Sequence, residues 1–322
     1  MTEKKMIRRY LRRSFRPLGW GLVGYYLLMN VLVIAAMAAD AAVLALEAVR
    51  YGHPILPQEK LMEAVSANAW GYLITLCVGV VVMLAWKGWD FFRDEIFHRN
   101  RRMRIPTFLG ITCIFLGCQV SVSLYATLLE ALLNSMGVSA MAALEAATVQ
   151  SETVSMFLYA AIGAPVVEEL IFRGFVQRSL MPFGKKFAIF GSALLFGMFH
   201  GNLIQTPYAF LVGLVLGYVA AEYSIWWAIV LHMINNMVLA DLLPRMLSGL
   251  PQMAQDIILT SIIWVFAIAG LVILIVKRRS VKAYLTGECM DRRCLRGFFL
   301  NSGFLVLATL MVINMLMMVM PI

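Results

Sequence analysis

Glu168-Glu169-Leu170-Ile171-Phe172-Arg173 lies inside an otherwise apolar stretch that runs from about Thr153 to Leu180. The stretch is long enough to cross a bilayer as one helix. Two adjacent carboxylates at such a depth are costly to keep, which marks them as functional. Successive helical residues point about 100° apart, so the two glutamates face different ways. Glu169 stands four residues before Arg173, the spacing at which a carboxylate meets a guanidinium on one helix face. Glu168 has no such partner in its own helix. The spacing therefore predicts a division of labour: Glu169 is neutralised and structural, and Glu168 is free to act.

The rest of the chain matches a membrane setting. Of 322 residues, 61% are hydrophobic and 14% are charged. A soluble chain carries about a quarter charged residues, so the composition describes an all-α polytopic membrane protein. About nine apolar spans are expected, near residues 17–46, 70–86, 108–133, 153–180, 187–200, 207–223, 225–243, 257–276 and 298–320. The first apolar stretch is far longer than a signal-peptide core and no A-x-A site follows it, so no cleavable signal is expected. A basic arm at 1–16, rich in Lys and Arg, suits an anionic membrane surface. With the N-terminus in the cytosol, the basic segments 1–16, 87–104, 178–186 and 277–296 fall on one side. The weakly basic loops 47–69, 134–152 and 244–256 fall on the other, as the positive-inside rule requires. The net charge of +9 is thus a topology signal, and no nucleic-acid partner is expected. The chain divides into the arm, N-terminal spans over 17–152, a central block over 153–243 and C-terminal spans over 244–322. Cys77, Cys113 and Cys118 read as small apolar side chains, and Cys289 and Cys294 fit no metal spacing. No internal repeat points to a transporter. Short loops suit a multi-pass protein of a bacterial plasma membrane.

The central block holds the rest of the polar set. His200 follows Phe196 by four residues, and Asn236 follows His232 by four, so each pair shares a helix face. Asn235 points elsewhere and reads as a packing or interhelical hydrogen-bond residue. From the Met181 turn, Glu168 lies roughly 20 Å back along one helix and His200 roughly 21 Å along the next. Antiparallel packing then sets them at one level, with a cavity open to the cytosol. A carboxylate held in a low-dielectric pocket is a better base near neutral pH. Glu168 suits that role, with His200 sharing and orienting the water. His232 and Asn236 are donors suited to an oxyanion. Glu168, His200 and His232 would also offer three ligands and an open position to a divalent metal such as zinc. Phe196 reads as packing that shapes the pocket wall.

Glu168-Glu169-x-x-x-Arg173, Phe196-x-x-x-His200 and His232-x-x-x-Asn236, in this order, resemble the three motifs of the CAAX-protease-and-bacteriocin-processing family of intramembrane proteases. That family includes the type II CAAX prenyl endopeptidases. The resemblance covers about Thr153 to Leu243. It implies that Glu168 and His200 activate the attacking water, that His232 and Asn236 form the oxyanion site, and that Glu169 and Arg173 support them. Two functions are expected on this basis. The leading one is an endopeptidase that cleaves a membrane-proximal peptide or membrane-anchored protein. The alternative is a non-catalytic immunity or regulatory protein that binds a peptide toxin or a sensor kinase.

Overall fold

A computed structural model describes residues 3–54, 56–141, 153–287 and 290–321. It is 85% helix. The helices are α1 (Glu3–Tyr51), α2 (Gln58–Ala67), α3 (Trp70–Lys87), α4 (Ile105–Ser135), α5 (Val154–Phe183) and α6 (Lys185–Phe199). After these come α7 (Gln205–Glu222), α8 (Ile225–Leu247), α9 (Gln252–Val276), α10 (Arg278–Thr286), α11 (Arg292–Phe299) and α12 (Ser302–Met317). Two short strands, Val138–Ser139 and Met320–Pro321, pair antiparallel. The linker residues 142–152 and Cys289 lie outside the described residues, while Cys77, Cys113, Cys118 and Cys294 are free thiols.

Fewer helices than the nine expected crossings meet the length and apolarity of a span. Among the described residues six helices are long and apolar enough to cross a membrane, or seven if the bent pair α11–α12 counts as one span. The missing crossings have a physical reason. Helix α6 has 15 residues, or roughly 22 Å of helix, short of the ~20 residues that a span needs. Its apolar side chains Phe187, Ala188, Leu195 and Phe196 are buried in protein. Helix α7 packs along α6 and carries Gln205, Thr206, Pro207 and Glu222 in its terminal turns. Both are apolar because they form the protein's interior. The last expected span breaks at Asn301, whose side chain accepts the amide of Gly303 at 2.9 Å, and α11 meets α12 at 62°.

Helix α5 is not a plain α-helix. It starts on Thr153, whose hydroxyl accepts the amide of Met156. Wide turns, with amides reaching five residues back, run through Leu158–Gly163 and Leu170–Val176. Helix α8 has a third such stretch at Ile234–Leu242. Wide turns of this kind concentrate at functional sites. Here they flank both glutamates and begin just after His232.

Two glycines let α7 approach α5 and α6. Arg173 donates to the carbonyl of Gly213 at 3.3 Å, and one turn on Gln177 donates to that of Gly217 at 2.9 Å. A Cβ on Gly213 would stand 3.1 Å from the Phe196 ring and 3.2 Å from Ala193, and one on Gly217 would stand 2.9 Å from the Gln177 amide oxygen. A larger side chain at 213 must push Phe196 aside. Gly213→Val is therefore expected to destabilise the fold by roughly 1–3 kcal/mol, read as a lower midpoint in thermal unfolding.

Candidate active site

Glu169 and Arg173 are fully buried charged groups inside the bundle. Both side chains are 0% exposed, and Arg173 Nη1 stands 3.3 Å from Glu169 Oε1. The same oxygen accepts Nδ1 of His232 at 3.0 Å. Arg173 also lays its guanidinium over the ring of Phe196, 4.1 Å from the centroid. A cation buried this way gains from the ring's negative face as well as from the carboxylate. Among the described residues Glu169 Oε2 and Arg173 Nε have no hydrogen-bond partner, so the pair is held by charge more than by full hydrogen-bond satisfaction.

Glu168 differs from its neighbour in exposure. Its side chain keeps 32% of its surface accessible, and Oε2 lies 3.8 Å from His232 Nε2. The glutamates point different ways, yet both reach the one imidazole, at its opposite edges. His232 is buried, at 6% exposure. Tyr25, Tyr159 and His200 lie within reach of the Glu168 charge.

His200 caps the C-terminus of α6, and its Nδ1 lies 2.9 Å from the carbonyl of Phe196. A carbonyl only accepts, so Nδ1 carries the proton and the neutral ring offers Nε2 as an acceptor. Phe196 stands edge-on to His200 and to His232, at 4.8 and 5.8 Å between ring centroids. Phe196 thus separates the two imidazoles and covers Arg173. Its position four residues before His200 was legible in the sequence. Its contacts to Arg173 and His232 were not.

Asn236 is tied differently. Its Nδ2 donates to the carbonyl of Ala160 at 3.1 Å, and its Oδ1 accepts Nδ2 of Asn235 at 3.0 Å. The structure thus gathers Glu168, Glu169, Arg173, Phe196 and His232 into direct contact and leaves His200 across the Phe196 ring. Asn236 sits beside the cluster on bonds of its own. Sequence reasoning missed Tyr208 and Gln119, which bond Asn235. Each is a hydrogen-bonding side chain in a largely apolar helix, which is the signal the sequence offers for them.

Among the described residues no three His, Cys, Asp or Glu side chains form a set fit to hold a metal ion. Glu168, His200 and His232, expected as candidate ligands, are not gathered into one. His232 turns Nδ1 to Glu169 and His200 turns Nδ1 to a backbone carbonyl, so in each ring Nε2 is the nitrogen left toward the site.

The apolar helices and the buried carboxylate–imidazole cluster define a multi-pass membrane protein with a polar site inside the bundle. Residues 150–238 match the family described as Rce1-like, type II CAAX prenyl endopeptidase Rce1-like. The matched segment contains all three motifs and none of α1–α4 or α9–α12, so the likeness rests on the site-bearing helices. No curated protein and no solved structure matches the chain.

Proposed function

We propose that the chain is a CAAX-type intramembrane endopeptidase, acting on a membrane-proximal peptide or membrane-anchored protein from a cavity open to the cytosol. The observation that carries this reading is His232 held between two adjacent glutamates, 3.0 Å from Glu169 and 3.8 Å from Glu168.

The bonds support the following roles. A water between Glu168 and Nε2 of His200 gives its proton to the Glu168 carboxylate as its oxygen attacks the peptide carbonyl. The new C–O bond moves the carbonyl electron pair onto oxygen. His232 with both ring nitrogens protonated donates Nδ1–H to Glu169 and turns Nε2–H to that oxyanion. Before the attack Glu168, Glu169, Arg173 and the doubly protonated His232 sum to zero charge, and once Glu168 has taken the proton the oxyanion supplies the balancing negative charge, which suits a low-dielectric site. Asn236 adds a second donor. The C–N bond then breaks, and the proton on Glu168 passes to the leaving amine. No step runs through a metal.

The test is the protein reconstituted in lipid vesicles with a library of membrane-anchored peptides, read as newly formed amino and carboxyl termini. Cleavage is expected at defined bonds, and it is expected to survive a strong divalent-metal chelator at an unchanged rate. Cleavage lost to the chelator and restored by added zinc would return Glu168, His200 and His232 to the role of metal ligands. Tight binding of a peptide without any new terminus would replace the protease reading with an immunity-type or regulatory one.

A further inference from the structure

Helix α5 carries a proline, Pro165, just after its first wide turn, and its consequence reaches Asn236. The amide of Ala164 bonds the carbonyl of Tyr159, five residues back. By the same pattern the amide of residue 165 would bond the carbonyl of Ala160. Residue 165 is proline and has no N–H. The Ala160 carbonyl is left to find a donor elsewhere, and it takes Nδ2 of Asn236 at 3.1 Å.

This bond fixes a polarity. A carbonyl can only accept, so Asn236 must turn its nitrogen toward Ala160 and its oxygen toward Asn235. Asn235 must then donate, and its Nδ2 reaches Asn236 Oδ1 at 3.0 Å. The oxygen of Asn235 faces the other way and needs donors. It receives the hydroxyl of Tyr208 at 2.9 Å and Nε2 of Gln119 at 3.2 Å. Gln119 also donates to the Tyr208 oxygen at 3.1 Å, so every member has one consistent role. Reversing any amide would set two acceptors or two donors face to face. The chain joins α4, α7, α8 and α5 and leaves one N–H of Asn236 with no protein partner among the described residues.

We infer that Tyr208, Gln119 and Asn235 are positioning residues that, together with the carbonyl freed by Pro165, lock the amide of Asn236 with one N–H held ready for the reacting carbonyl. The inference rests on the proposed hydrolytic reading for its last step. The relay itself rests on hydrogen-bond geometry alone.

A double-mutant cycle in lipid vesicles tests it, with Tyr208→Phe, Asn236→Ala and the two combined. Asn236→Ala is expected to lower kcat roughly a hundredfold, as loss of an oxyanion donor does. Tyr208→Phe keeps the ring and removes only the donor. It is expected to lower kcat roughly tenfold with KM unchanged, the pattern of a group acting only in the transition state. The combined variant is expected to match Asn236→Ala alone, because the relay has nothing left to position. Gln119→Leu should behave as Tyr208→Phe does. Equal losses from Tyr208→Phe in both backgrounds, or a loss confined to KM, would overturn the inference. The same proteins are melted without substrate: coupled shifts in midpoint support the relay, and additive shifts overturn it. Wild-type protein that cleaves nothing would count against the hydrolytic reading, and the melts then judge the relay by themselves.

Discussion

Arg173→Met is expected to destabilise the protein by roughly 3–5 kcal/mol, the usual cost of removing one partner from a buried ion pair. Glu169 and Arg173 are both 0% exposed, so the remaining carboxylate would be a buried charge without its guanidinium. The loss is compounded at two further contacts. Phe196 loses the guanidinium that lies 4.1 Å above its ring, and the Gly213 carbonyl loses its donor. Thermal unfolding in detergent or nanodiscs reads the effect directly. The double variant Glu169→Gln/Arg173→Met removes the uncompensated charge and is expected to recover much of the lost midpoint. Equal midpoints for wild type and Arg173→Met would show that the pair contributes nothing to the fold.

Glu168→Gln is expected to do the opposite: to leave the midpoint near wild type and lower the hydrolysis rate by roughly 10²–10⁴, the range for loss of a general base. Its side chain keeps a third of its surface accessible and meets His232 only at 3.8 Å, so little packing depends on its charge. Glu169→Gln separates the two roles. It weakens the grip on His232 Nδ1 and leaves Arg173 without its counter-charge, so it should lower both stability and rate. The adjacent carboxylates thus give two different signatures in the same pair of measurements. If Glu168→Gln and Glu169→Gln behaved alike in both, the proposed division of labour between them would be wrong.

Part of this was legible in the sequence, and the limits have physical causes. Apolar runs mark helices reliably, but they do not say whether lipid or protein covers them. That is why α6 and α7 read as crossings, though one is 15 residues long and both are interior. The i, i+4 spacing of Glu169 and Arg173 was legible because it is local to one helix. The contact of His232 with Glu169 joins residues 63 apart in the chain, and no local spacing carries it. Face assignments drawn at 100° per residue also lose accuracy where turns widen, as they do through Leu170–Val176 and Ile234–Leu242. The part of Asn236 least visible in the sequence is its bond to Ala160, which follows from a proline 71 residues earlier in the chain.

The most direct measurement of the central claim is a comparison of peptide termini in cells that carry the wild-type gene and cells that carry Glu168→Gln at equal expression. The variant keeps the side chain's shape and removes the base, and the readout presumes no substrate. The account predicts a defined set of new termini that is present with the wild type and absent with the variant. Identical termini in the two, with the wild-type phenotype retained by the variant, would contradict it.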